Sequence, residues 1–211
     1  QMLFMLNGVK KLKEGSGRMA IIQNGSSLFT GDAGSGASEI RRYVIEGDLV
    51  EAIIQLPTDL FYNTGISTYI WLLTKGKAMH RSGKVQLIDA SKCFVKRRKN
   101  IGSKRVDLDD DCIDLILRAY EEFADETYEN GDLVVESKVF DNTFFGFTKV
   151  TVETAQTDAD GNLILKKGKK QPVKDATDTE IIPLSEDRDA YMKKNVLPYN
   201  PLAYIDTTKD K

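Results

Sequence analysis

The 211-residue chain carries 30 Lys/Arg against 32 Asp/Glu, a net charge of -2, and 41% hydrophobic residues. That size and apolar content suffice for one large domain or two small ones with a real core. The balance of charge leaves no global field drawing the chain to nucleic acid, so such binding needs a local patch. No apolar run approaches the ~20 residues of a membrane-spanning helix. One histidine and two cysteines are too few for a His/Cys zinc site and for most catalytic triads, so neither a metal nor a membrane is expected.

Residues 1–15 form an amphipathic helical pattern, with Met2, Met5, Val9 and Leu12 on one stripe and Leu6 beside it, ending at Gly15. A chain that opens inside a helix reads as one whose upstream part has been cut away. Arg18 to Gln23 is a short apolar run bounded by glycines, as a buried parallel strand is. A glycine-rich loop follows, then a helix from about Ala37 to Glu46, with Ser35 or Ser38 as its N-cap. Leu49 to Leu56 is a second strand, stopped by Pro57, and the β-branched and aromatic run Ile66 to Thr74 is a third. Lys84 to Ala90 is a fourth, close enough to the third to form a hairpin with it. Strand, helix and strand in this order indicate an open α/β sheet with at least one parallel pair.

The composition then shifts. Lys96, Arg97, Arg98, Lys99, Lys104 and Arg105 form a basic loop, and an acidic stretch follows at once. A helix over 109–124 has Ile113, Ile116, Leu117, Tyr120 and Phe123 on one stripe, with acids at its N-terminus where the dipole favours them. Beyond Gly131 the pattern is β-like, and 145–156 with 162–167 read as a hairpin around the turn at 157–162.

Four features invite a chemical reading. Asp32-Ala33-Gly34-Ser35-Gly36 has the acid and glycines of a cofactor loop, but no apolar strand ends at Asp32 and no Lys-Ser/Thr follows, so it reads as a turn capping a helix. The Asp-x-Asp-Gly of 158–161 lacks the closing glutamate of a calcium loop, which makes it a hairpin turn. The basic run suits phosphate contacts, or is a solvated loop balanced by the neighbouring aspartates. Phe61, Tyr62 and Asn63, between the second and third strands, are either plugs of the core or a platform on which a planar base stacks. His80 lies in a polar turn and reads as a solvated imidazole. Cys93 and Cys112, without a partner motif, read as buried reduced thiols in preference to a disulfide.

Read together, residues 17–75, above all the segment Leu56-Pro57 … Leu60-Phe61-Tyr62-Asn63-Thr64-Gly65-Ile66, resemble the second half of the catalytic domain of modification (M) subunits of type I restriction-modification systems. These are site-specific adenine-N6 DNA methyltransferases. The tail, 145–154 and 181–206, resembles their extension less closely. The resemblance implies the C-terminal half of a Rossmann-like, S-adenosylmethionine-dependent methyltransferase sheet, mixed and with a terminal hairpin, followed by a helix and a small β-containing extension. The corresponding segments are 1–95, 96–130 and 131–211.

It also implies methyl transfer to a flipped adenine, with Phe61, or its neighbours Tyr62 and Asn63, against the base. The partners would be double-stranded DNA and the specificity (S) and restriction (R) subunits, in the cytoplasm. The family's cofactor loop and its Asn-Pro-Pro-aromatic tetrapeptide are absent from this sequence, whose prolines are never adjacent. The expectation is therefore a C-terminal fragment, inactive alone and without catalytic or cofactor-binding residues of its own, which self-associates through the cut edge of its sheet at Arg18 to Gln23. A non-catalytic DNA-binding or assembly module is the alternative, and binding of S-adenosylmethionine separates the two.

Overall fold

The structure, a computed structural model, describes residues 1–208. The chain forms two compact units, Gln1–Asn142 and Thr143–Lys211. In chain order the first contains α1 (Met2–Lys11), β1 (Arg18–Asn24), α2 (Ser26–Phe29), α3 (Gly36–Glu46), β2 (Val50–Gln55), β3 (Thr68–Thr74) and β4 (Lys84–Lys92). It continues with β5 (Val95–Ile101), β6 (Lys104–Asp107), α4 (Asp110–Glu122), β7 (Glu126–Asn130) and β8 (Leu133–Asp141). The segment expected at 96–130, and residues 131–142 of the one expected at 131–211, thus belong to the first unit, because β8 pairs with β4 and α4 packs beside it.

Six strands make one mixed α/β sheet in the order β1-β3-β2-β4-β8-β7. Only β2 and β4 run parallel; the other neighbours are antiparallel. The hairpin expected between β3 and β4 does not form. One edge of β3 pairs with β1 and the other with β2, so β4 adds beyond β2, on that strand's remaining edge. Strand alternation then divides the core between two faces. Ile54, Leu56, Ile88 and Ala90 pack with Cys112, Leu115, Ile116 and Ala119 of α4. Trp71 points to the other face, where its indole N–H donates to Ser27 Oγ of α2 at 3.1 Å. The α1 stripe of Met2, Met5 and Val9 is buried as its pattern requires.

The buried stripe of α4 is rotated from the expected one. Ile113 and Leu117 face solvent, and the small residues Cys112 and Ala119 face the sheet with Leu115 and Ile116. Small side chains allow the helix to sit close on β4 and β8, which bulky aliphatics at those positions would prevent.

Two polar networks lock the sheet. At one end Asp48, in the left-handed region at φ 53°, joins three turns. Its carboxylate pairs with Lys77, accepts the Gly83 N–H at 2.9 Å and accepts the Asn142 amide at 2.9 Å. Burial alone would push this carboxyl up, but the hydrogen bonds from Lys77, Gly83 and Asn142 outweigh it and hold Asp48 below its ordinary value. Between sheet and α4 lies Arg81, 4% exposed. Its guanidinium lies 4.3 Å from the ring centroids of both Tyr120 and Phe123, donates to Gln86 Oε1 at 3.1 Å and to the Tyr120 carbonyl, and stands 4.0 Å from Glu51. Glu51 also accepts from Arg18 at 2.8 Å. A buried guanidinium persists only with partners of this kind.

The strand expected to be buried and parallel is neither: β1 lies at the edge of the sheet, antiparallel to β3, which among the described residues is its only ladder partner, so its outer side faces solvent. Ile22 on it is half exposed. Gln23 is buried, and neither its amide nitrogen nor its amide oxygen finds a partner among the described residues.

The second unit is built on β9 (Phe147–Ala155). The small hairpin β10 (Leu165–Lys166) and β11 (Lys169–Lys170) follows, then β12 (Pro172–Pro183), α5 (Arg188–Tyr191) and β13 (Ala203–Ile205). The hairpin expected between 145–156 and 162–167 is reduced to one bridge, Thr157 to Leu163. The ladder partners of β9 are β12 and β13, because Ile182 and Ala203 supply the apolar side chains that close a core with Val150 and Val152. The turn itself is as expected: the Asp158 carboxylate accepts the N–H groups of Asp160 and Asn162 at 3.0 and 2.8 Å.

Candidate nucleic-acid interface

The loop between β2 and β3 begins where Pro57 stops the ladder. Asp59 takes the left-handed conformation at φ 58°, and a bridge between Phe61 and Thr64 closes a tight turn with Tyr62 and Asn63 at its tip. The turn separates the two rings. Phe61 is half-buried and packs with Leu60 against the core under α4. Tyr62 is 57% exposed, and Asn63 is exposed beside it.

The basic run is not the loop expected. It is the hairpin β5–β6, turning at Gly102 with φ 58°. Lysine is depleted in strands; what holds this hairpin is the pairing of β5 with β6 and its attachment to the aromatic loop. Ser103 N–H donates to the Tyr62 carbonyl at 2.8 Å and Arg105 N–H to the Asp59 carbonyl at 2.8 Å. Lys104 Nζ stands over the Tyr62 ring, 5.5 Å from its centroid. The two features singled out separately in the sequence are therefore one surface.

The six basic residues divide into two sets. Arg97 and Lys104 both pair with Asp107, the latter at 2.8 Å. The hydrogen bond from Lys104, with Arg97 alongside, holds the Asp107 carboxyl below its ordinary value. Lys96, Arg98, Lys99 and Arg105 are exposed, and none of these side chains has an ion-pair partner among the described residues. Four exposed cations on a hairpin fastened to the loop of an exposed tyrosine offer what a nucleic-acid strand requires: charge for phosphates and a π-face for a base. The neighbouring aspartates were expected to balance the basic run, and Asp107 does so; the turn at Gly102 and the role of Asp59 were not foreseen, the glycine amid the basic run being the available signal for a hairpin.

The other candidates are structural. Asp32 to Gly36 closes on itself: Ser35 N–H donates to the Asp32 carbonyl at 2.9 Å, and Ser35 Oγ caps α3 by accepting the Ser38 N–H at 3.4 Å. A Cβ built at Gly31 would lie 2.4 Å from Ser35 Oγ. These residues do not fit an adenosyl cofactor loop, since the loop follows α2 instead of ending a strand. His80 is exposed, edge-on to Phe123 at 5.7 Å. Cys93 and Cys112 are buried free thiols. Burial raises both, Cys112 to about 12, so neither is a nucleophile at neutral pH. No cluster of three metal-ligating side chains occurs among the described residues, and no helix among them is long and apolar enough to cross a membrane.

Comparison with known proteins places this surface in context. The family model for N-6 DNA Methylase matches residues 1–160. The MjaVIII methylase subunit of a type I restriction enzyme from Methanocaldococcus jannaschii is 34% identical over 108 residues, covering 51% of this chain and 18% of that protein. The HindI methylase subunit from Haemophilus influenzae is 39% identical over 75 residues, covering 36% of this chain and 16% of that protein. The chain therefore spans under a fifth of the length of these relatives. The crystal structure of a type I restriction-modification methyltransferase subunit from Streptococcus thermophilus superposes with a TM-score of 0.55 at 29% identity. The superposition covers 67% of this chain and 26% of that one.

Proposed function

The chain belongs to the N-6 DNA methylase family, and on that premise we propose that it is part of the modification subunit of a type I restriction-modification system. In this reading the whole protein methylates adenine N6 at a specific DNA site, and its sheet is the C-terminal half of a Rossmann-like methyltransferase. Specificity and restriction subunits are its partners, and double-stranded DNA is its substrate. S-adenosylmethionine is the methyl donor, held by elements that this chain does not carry, so the chain alone neither binds it nor methylates DNA. The closed loop at Asp32 to Gly36 supports that division and equally favours the reading of the isolated chain as a DNA-contact module.

One observation carries the proposal: the basic hairpin β5–β6 is hydrogen-bonded to the aromatic loop, so phosphate contacts and a base-sized ring share one surface. Lys96, Arg98, Lys99 and Arg105 meet the DNA backbone, while Arg97 and Lys104 shape the hairpin through Asp107. The flipped adenine stacks on Tyr62, the exposed ring, beside Asn63, while Phe61 anchors the loop in the core. Fluorescence anisotropy with a short duplex tests this. Replacing the four unpaired cations by glutamine should flatten the dependence of log K on log salt by about 0.9 per lost phosphate contact. An unchanged affinity and slope would remove the hairpin from the DNA surface.

A further inference from the structure

We infer that Gly102 and Lys104 are positioning residues that couple phosphate binding on the hairpin to the presentation of the Tyr62 ring. This rests on the reading of hairpin and loop as a DNA surface. Four consecutive residues of the hairpin engage the loop, each differently. Gly102 sits so close that a Cβ there would lie 2.5 Å from the Tyr62 carbonyl oxygen, and its φ of 58° is strained for any L side chain. Ser103 N–H donates to that same carbonyl at 2.8 Å. The Lys104 ammonium stands over the ring while its other contact, Asp107 Oδ1 at 2.8 Å, holds it there. Arg105 N–H donates to the Asp59 carbonyl at 2.8 Å and sends its own side chain to solvent.

The loop is thus fastened on both sides of Phe61, at Asp59 and at Tyr62. Lys104, only 15% exposed at its side chain, is poorly placed to meet phosphate and well placed to fix the ring. A displaced turn moves the tyrosine backbone directly, since the shared carbonyl is the hinge between the two segments. The unpaired cations flank this turn in sequence, Lys99 before it and Arg105 after it. A strand bound by them fixes the same backbone that carries the ring.

The test uses the 211-residue chain with a duplex holding 2-aminopurine opposite an abasic site. Quenching of 2-aminopurine at saturating protein reads stacking, and anisotropy reads affinity. The Tyr62→Leu variant defines the tyrosine-dependent quench. Gly102→Ala should lose more than about half of that quench while its Kd rises less than about threefold, the signature of coupled neighbours. Lys104→Gln should lose a smaller share with a similar Kd. The paired control, Lys96→Gln with Arg98→Gln, should weaken binding but keep the quench at saturation. Full quench in both Gly102→Ala and Lys104→Gln overturns the inference; if Gly102→Ala fails to fold, Lys104→Gln decides alone. Binding by the parent chain without a tyrosine-dependent quench overturns the coupling and leaves the DNA surface standing. No binding at all overturns both.

Discussion

Truncating the two rings of the aromatic loop one at a time separates a packing role from a contact role. Phe61 is half-buried against the cluster of Leu56, Ile88 and Cys93 under α4. A fully buried phenylalanine cut to alanine costs about 3–5 kcal/mol. A ring with one face in the core should therefore lose roughly half of that, about 2 kcal/mol. For a chain of this size that corresponds to a fall in Tm of roughly 4–8 °C. Tyr62, at 57% exposure, should change stability by no more than about 0.5 kcal/mol on truncation. Its loss should instead remove base stacking, on the order of 1–3 kcal/mol of substrate interaction. Urea melts followed through Trp71, which is buried in the same sheet, measure the first effect, and oligonucleotide binding the second. The reasoning fails if Phe61→Ala melts like the parent chain while weakening binding, or if Tyr62→Ala unfolds the loop.

Other outcomes follow from the fold. Gln23→Leu should raise stability by about 1 kcal/mol, since it removes a buried amide with no partner; a loss of that size in a urea melt would mean that the amide is satisfied in solution. Asp48→Asn should destabilise the chain at neutral pH and flatten its acid unfolding curve. Because the Asp48 carboxyl is held low, its contribution is complete above about pH 4, the ordinary carboxylate value, and is lost as pH falls through the lower folded value. A variant whose acid limb parallels that of the parent chain would contradict this. The open edge of β1, with Ile22 half exposed, should drive self-association at tens of micromolar, read by light scattering. A monomer with slowly exchanging Ile21 and Ile22 amides would mean that the edge is covered.

Elements with a strong local pattern were legible in the sequence: β1, β2 and β4 as apolar runs, α3 from its cap at Ser35, and the stripe of α1. The pairing of β3 was not, because which edges a strand uses depends on what else competes for them. β8 lies in the region read only as β-like beyond Gly131, without bounds or partner: Val135 and Ser137 are both buried, and a serine in the core breaks the apolar alternation. The orientation of α4 was misjudged because the pattern favours bulky side chains, whereas the helix seats Cys112 and Ala119. Both halves of the candidate site stood out by composition, the aromatic tip and the basic run. Their junction did not, since it rests on backbone hydrogen bonds from Ser103 and Arg105 that leave no mark on residue type.

The buried Arg81 bears on how this unit comes apart. Lifting α4 from the sheet would strip the guanidinium of two aromatic faces and of the Tyr120 carbonyl, leaving a cation facing Glu51 across a half-opened interior. Partial opening at that place is costlier than complete opening, so helix and sheet should melt as a single cooperative block instead of peeling apart. The basic hairpin is the segment of chain between β4 and α4. Both of its ends are therefore rooted in elements that cannot separate short of global unfolding, and a surface loop acquires the persistence of the core.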